Sequence, residues 1–473
     1  MNLSKTRLPL ICIAILAPPS ARAETLTLQQ CVAAALKSSP DVALANLEID
    51  AAHAKKDGAR GGYSPRLRLD AGVQRWDKQL GAPLFAGLVM ACKDCPWNQT
   101  DNLPITLPNG DTAYIQSQRQ LTSESIVFRP QNTWSLGLTL AQPLGALWTV
   151  YEANRLARLG IDVAEIKRQA TKRDVAYQVT EAYYRLLQAR RMAEVAQKSV
   201  EQIAAQVERA RTFFARGVVA RNDVLRAELG RAAAEQRLIQ ARGGVILATG
   251  RLATLMGRSP DSDIEPLDIA GAPVAQSPMA ANLAEDKAVG ARIELRELNA
   301  TINLAEGGVR MAKSKMIPQI NAVANYTRAT QSLLGLPKSW FIGATASWDL
   351  WEGGTTYYGI EESKVRLAQA REARRKAEDM IRLDVRSAHV GVRTTMEALA
   401  VAATAVAQAE ENFRIEQKRY ESTSNTSFDV LDAETQLTTA RGQHQAAIYE
   451  YLIAQSNLAR AMGESIPAVK AAQ

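Results

Sequence analysis

Few side chains in this sequence stand where chemistry could be done. Asp429 and Asp432 lie three residues apart in a helical pattern, so they share a helix face and set two carboxylates side by side. An aspartate there also serves simply to cap or charge a helix N-terminus. Cys92 and Cys95 flank Lys93-Asp94 and can close a small disulfide loop in an oxidising compartment. A metal or redox role ranks behind, because no second ligand pair accompanies them. Cys31 falls in an apolar helical pattern and reads as a buried thiol. The three histidines, His53, His389 and His444, are scattered. No glycine-rich phosphate loop, His and carboxylate cluster or Ser-His-Asp arrangement stands in a recognisable context. The chain therefore reads as a non-enzyme, with no metal or cofactor expected.

The N-terminus sets the compartment. Lys5 and Arg7 precede an apolar run from Leu8 to Ala17 and an Ala21-Arg22-Ala23 cleavage signature, which predicts a signal peptide over 1–23 and a mature chain from Glu24. The residue after the cut is not cysteine, so no lipid anchor is expected. No later stretch approaches the ~18 uninterrupted apolar residues of a membrane-spanning helix. Of the formal charge of +8, three positive residues lie in the signal. The remaining basic residues alternate with acidic ones, which describes a solvated surface and not a nucleic-acid stripe.

The positions in between must be held by a duplicated framework. Asp223-Val-Leu-Arg-Ala-Glu matches Asp429-Val-Leu-Asp-Ala-Glu, and in that register Trp134 to Leu144 lies on Trp340 to Leu350 and Tyr151 on Tyr357. Upstream the register changes: Tyr63-Ser-Pro-Arg-Leu meets Met316-Ile-Pro-Gln-Ile, and Asn46 meets Asn299. One insertion explains the change, a long loop at about 76–133 that exceeds the usual ceiling of ~12 to 15 residues for a connection. The expected organisation is a first repeat over 24–257, a linker over 258–280, a second repeat over 281–463 and a tail over 464–473.

Each repeat reads as helix, strand, loop, strand, very long helix, tight turn, long helix. Strands are expected near 66–75, 134–143, 319–327 and 340–349. Leu67, Leu69, Ala71 and Val73 alternate with Arg66, Arg68, Asp70 and Gln74, and Trp134, Leu136, Leu138 and Leu140 with Ser135, Gly137 and Thr139. The second repeat offers Ile320, Ala322, Ala324 and Tyr326, then Trp340, Ile342, Ala344, Ala346 and Trp348. Such alternation fits either a half-buried sheet on a soluble core or a membrane barrel. A secreted chain with a polar opposite face and aromatic strand ends favours the barrel. Four strands cannot close one, and open edges are not tolerated in lipid, so an oligomer is required. The helices expected near 151–214 and 357–420 run without proline, with alanine-rich seams through Val175, Val179, Ala182, Leu186, Ala189 and Ala193, and through Ala368, Ala377, Val385 and Ala388. Hairpins of this kind also suit a filament or a coiled-coil tether, but neither explains the strands.

Signal, duplication, strand hairpins and the two Asp-Val-Leu-x-Ala-Glu helix starts together resemble the TolC-like outer membrane efflux protein family, from Leu26 to about Gly463. The resemblance implies a mainly α fold with membrane β: a homotrimer pooling twelve strands into one outer-membrane barrel, continued by a tunnel of long helical hairpins in the periplasm. It implies as partners a periplasmic adaptor protein, an inner-membrane transporter and outer-membrane lipid, with no nucleic acid. The helix turns then form the tunnel entrance. Asp429 and Asp432 match the family's paired aspartates at the pore constriction, where threefold symmetry would gather six carboxylates and favour cations. Tyr420 and Asp223 match a gate latch, a phenol donating to a carboxylate, whereas Asn425 stands where the family has a latch arginine. Gly217-Val218-Val219-Ala220 resembles the adaptor-contact tip, with Gly217 equally suited to a helix C-cap. The second turn, Thr423-Ser424-Asn425-Thr426-Ser427, lacks that glycine. The substrate and the pump's energy source are not written in the chain.

Overall fold

The structure, a computed structural model, describes residues 24–83, 91–92, 102–116, 125–268, 278–330, 337–422 and 424–464. In chain order the elements are β1 (Glu24–Leu26), α1 (Leu28–Ser38), α2 (Pro40–Arg60), β2 (Arg66–Arg75), β3 (Leu80–Pro83), β4 (Ala91–Cys92), β5 (Asn102–Thr106), β6 (Thr112–Gln116), β7 (Ser125–Arg129), β8 (Asn132–Pro143), α3 (Leu147–Ala215) and α4 (Arg221–Leu255). There follow β9 (Ile264–Pro266), α5 (Ala281–Ala291), α6 (Ile293–Ser314), β10 (Gln319–Ala329), β11 (Lys338–Ser347), α7 (Thr355–Glu421) and α8 (Ser427–Ala461). Two compact units form, and neither is a repeat. The first takes the chain up to Ala54, Ala157–Glu306 and everything from Lys364 on; the second takes Lys55–Leu156 and Gly307–Ser363.

The first unit is helical and holds two cores that match residue by residue. One contains Cys31 and Ala35 of α1, Val42 of α2, Val175, Val179, Ala182 and Leu186 of α3 and Leu252 of α4. The other contains Ala284 and Ala288 of α5, Leu295 of α6, Ile381, Val385, Ala388 and Val392 of α7 and Leu458 of α8. These are the same positions in the two registers read from the sequence, which makes the duplication a fact of packing. Each buried aliphatic side chain is worth about 1.5–3 kcal/mol, so Leu186→Ala would cost about 2–5 kcal/mol. Within this unit α3 runs from 157 to 215, about 90 Å at the α-helical rise. Ala368, expected on the α7 seam, is instead exposed.

The single helix expected before each first strand is broken in both repeats, at equivalent positions. Ser39 separates α1 from α2 with extended backbone (ψ 128°) and is followed by Pro40, which disfavours helical geometry in the residue before it. Arg292 separates α5 from α6 with nearly the same ψ, 127°, and no proline. There the guanidinium caps α8, donating to Arg460 O (3.2 Å) and Ala461 O (3.3 Å). Each break meets the end of its repeat's last helix: Gly257 (φ +69°) lies against Ser38 and Gly463 (φ +73°) against Ala291, where a Cβ would stand 3.0 Å from backbone. Positive φ and close approach together require glycine.

One stretch of α7 is apolar enough in composition to cross a membrane, and only 11% of it is buried. It escapes a search for uninterrupted apolar runs because polar residues punctuate its alanines and valines.

The second unit contains a four-stranded antiparallel sheet in the order β11-β10-β8-β2. The register puts Leu69 opposite Leu138, Leu138 opposite Tyr326, and Tyr326 opposite Trp340, so the apolar sides of all four strands form one face. That face is uncovered: Leu67 is 68%, Val73 84% and Ile342 77% exposed. The opposite face carries Arg68, Asp70, Thr139, Asn325 and Thr345. β2 and β11 are its edges. The span expected to be a loop, 76–133, contains short strands: β3 pairs with β7, and β6 lies between β4 and β5. Cys95 and the side chain of Cys92 lie outside the described residues, as does the expected disulfide.

Candidate functional site at the hairpin turns

Both hairpin turns belong to the helical unit. The first ends α3 in a Schellman motif: Gly217 adopts φ +73°, Gly217 N–H donates to Phe214 O and Val218 N–H to Phe213 O, each at 2.9 Å. Gly217 is thus the C-cap that its type allows. Nothing lies within 4 Å of where its Cβ would be, and Val218 is 49% exposed, so the backbone of the turn is open. Ala220 provides α4 with no side-chain cap. The second turn is tied internally: Asn425 Nδ2 donates to Glu416 O (3.0 Å) and Glu416 Oε2 (2.6 Å). Where the resemblance implies an arginine, this asparagine therefore braces its own hairpin.

Asp429 occupies the third position of α8 and reaches back to the cap, accepting from Thr426 N–H (2.9 Å) and Thr426 Oγ (2.8 Å). Those two hydrogen bonds hold its carboxyl below the usual aspartate range. The capping role is realised at Asp429. Asp432, exposed on the same face, accepts from Gln436 Nε2 at 2.7 Å. The two residues stand one turn apart on α8, with the Asp429 carboxylate turned back to the cap and the Asp432 carboxylate turned toward Gln436.

The contact expected between Tyr420 and Asp223 differs in its chemistry. Tyr420 is 2% exposed and packs its ring on Phe213 at 5.5 Å, but its hydroxyl makes no hydrogen bond among the described residues. Burial, and then the nearby Asp223 charge, push its pKa up. Asp223 instead accepts from Ser427 Oγ at 3.1 Å, with Asp223 O at 3.3 Å from the same hydroxyl. The shorter side chain at the first position of α8 reaches the carboxylate, while the phenol ring packs on Phe213. A second tie crosses the hairpins beside it, Arg209 to Glu421 at 3.6 Å. Sequence reading missed Ser427 and Arg209. A serine in a Ser/Thr-rich turn and one arginine among many carry no distinguishing signal.

Deeper between the hairpins lies a further polar layer. Glu434, 2% exposed, accepts from Ser199 Oγ (2.6 Å) and Thr438 Oγ (2.8 Å), and Gln206, equally buried, lies on the same side of α3 as Ser199. No group of three or more His, Cys, Asp or Glu side chains among the described residues could hold a metal ion.

With fold and turns in view, the comparisons with known proteins are consistent. The family described as Outer membrane efflux protein matches residues 109–258 and 286–464, one match in each repeat. The chain is 24% identical over 297 residues to Outer membrane efflux protein BepC of Brucella suis biovar 1 (strain 1330), a match over 60% of this chain and 62% of BepC, slightly less than two thirds of its length. It is 22% identical over 349 residues to Outer membrane protein TolC of Escherichia coli (strain K12), covering 70% of each. In fold it is similar to the Campylobacter jejuni CmeC outer membrane channel (TM-score 0.71, 16% identity, 100% of this chain and 97% of that one). It is likewise similar to the outer membrane protein VceC of Vibrio cholerae (TM-score 0.67, 17% identity, 93% and 96%). The outer membrane is accordingly its location. Duplicated helical hairpins, a shared apolar strand face and a two-part match over most of the chain lead to one conclusion: the chain belongs to the outer membrane efflux protein family.

Proposed function

We propose that this chain is one third of a passive export duct. Three copies pool twelve strands into a closed outer-membrane barrel, and their helical hairpins form a periplasmic tunnel with its gate at the turns. The observation that carries this reading is the four-stranded sheet with one continuous exposed apolar face and two unpaired edges, β2 and β11. Unpaired backbone is not tolerated in lipid, and neighbouring copies supply the missing partners. At the turns, Asp429 and Asp432 would form a ring of six carboxylates favouring cations, while Ser427 with Asp223 and Arg209 with Glu421 tie one hairpin to the other. Gly217 to Ala220 present the surface for a periplasmic adaptor, which couples the duct to an inner-membrane transporter that selects the cargo.

The test is mass measurement in detergent together with planar-bilayer recording. A stable trimer that conducts ions is expected. A monomer or dimer as the stable form removes the barrel, and a non-conducting trimer leaves a coiled-coil envelope tether.

A further inference from the structure

The apolar strand face ends in an anomaly. Arg328 of β10 and Lys338 of β11 are register partners, directly opposite each other, and both belong to the apolar side of their strands by alternation with Tyr326 and Trp340. Directly opposed side chains lie about 5 Å apart at Cβ, and like charges in that position repel. No described acidic residue forms an ion pair with either, and the sequence holds no Asp or Glu between Glu306 and Asp349. Both side chains are exposed. The Arg328 guanidinium is 5.9 Å from the Trp134 ring centroid, and Trp340 (70% exposed) and Tyr326 (43%) stand one step further along the face. This end of the strands carries the connections at 76–131 and 330–337, away from the helices.

Two cations opposed on a lipid-side face within a group of aromatic rings call for a shared anion at the headgroup level. We infer that Arg328 and Lys338 form a binding site for the phosphate of an anionic lipid in the exterior leaflet. The guanidinium offers a planar fork to two phosphate oxygens, and the ammonium adds a point charge from the neighbouring strand. Trp134, Tyr326 and Trp340 pack on the lipid's glycerol and upper acyl segments, as interfacial aromatics do. The acyl chains then lie along Leu138, Ile342 and Ala344. The site rests on the reading of this face as lipid-facing, and it adds a fixed lipid to the wall that reading proposes.

The test uses the full mature chain purified in detergent, titrated with phosphatidic acid and with zwitterionic phosphatidylcholine, and read by native mass spectrometry. Wild-type protein should retain phosphatidic acid over phosphatidylcholine. Arg328→Gln with Lys338→Gln should reduce that preference at least about tenfold at low ionic strength, since each basic residue near charged headgroups contributes about a fivefold factor. Lys338→Arg should preserve it. Equal preference in wild type and double variant overturns the site. Displacement of the lipid by inorganic phosphate at equal concentration would mean an ion site with no lipid recognition, and overturns it too. Quenching of tryptophan emission by brominated-acyl phosphatidylcholine checks the lipid-facing premise separately, because it should be the same in both proteins. Its absence from both removes the premise and the site with it.

Discussion

Replacing Ser427 with alanine should loosen the entrance and replacing Tyr420 with phenylalanine should not, although each deletes one hydroxyl. Ser427 is fully buried and donates to Asp223 Oδ1 at 3.1 Å. A hydrogen bond to a charged acceptor contributes about 1.5–3 kcal/mol; this one is at the long end of the range and its acceptor is only half-buried, so about 1 kcal/mol per chain is appropriate. Ser427 opens α8 after the Thr426 cap, where alanine is well tolerated, so the loss is confined to the tie between hairpins. If three ties release together the change is about 3 kcal/mol, a shift of roughly two orders of magnitude in the open-to-closed ratio. Tyr420→Phe keeps the stack on Phe213 and removes a hydroxyl that is buried without a hydrogen-bond partner. Leaving such a group unmade costs about 1–3 kcal/mol, so its removal should leave the closed state unchanged or tighter. Single-channel recording of the trimer measures both open fractions. A Tyr420→Phe channel that opens as readily as Ser427→Ala would show that the phenol is the latch, and would refute this account of the closed turns.

Three further outcomes follow. Asp432→Ala should lower cation preference and multivalent block with little change in thermal stability, whereas Asp429→Ala should lower both preference and stability, because only Asp429 also caps α8. Since Asp429's folded pKa is depressed, its cap is complete above the unfolded aspartate pKa and is lost as pH falls through the lowered value. Amide exchange at the start of α8 should therefore accelerate in the wild type only once pH falls below the usual aspartate range, and be independent of pH in that range for Asp429→Asn once exchange chemistry is corrected for. Gly257→Ala and Gly463→Ala should each cost about 2 kcal/mol or more in urea unfolding, combining left-handed strain with a Cβ 3.0 Å from backbone, whereas Gly217→Ala, with the same φ and open space, should cost about 1 kcal/mol. Equal losses at all three would show that the contact with Ser38 and Ala291 carries no weight.

What could be read from the chain was whatever periodicity carries. Alternation along Leu67 to Val73 and Trp134 to Leu140 marks strands because one face must be apolar throughout, and self-similarity located both turns. The helix break was half legible: Pro40 announces it at Ser39, but at Arg292 the same geometry is maintained by a side chain reaching carbonyls of a helix far along the chain. The tie from Ser427 to Asp223 was hidden for a similar reason, since it depends on which residue of a compact turn comes into line with a carboxylate over 200 positions away. The short strands within 76–133 lack the length over which alternation becomes recognisable.

The order β11-β10-β8-β2 reaches beyond the single chain. Within it, β8, the second strand of the first repeat, already pairs with β10, the first strand of the next. Where one copy of the proposed wall meets another, the strands left over are β11, again a second strand, and β2, again a first. The junction between molecules is thus the junction inside the molecule, used once more. Carrying Leu140 opposite Ala324 and Leu136 opposite Arg328 through the repeat puts Ala346 of one copy opposite Ala71 of the next, and Ile342 opposite Arg75. A hoop assembled this way needs only one kind of seam, repeated within and between copies.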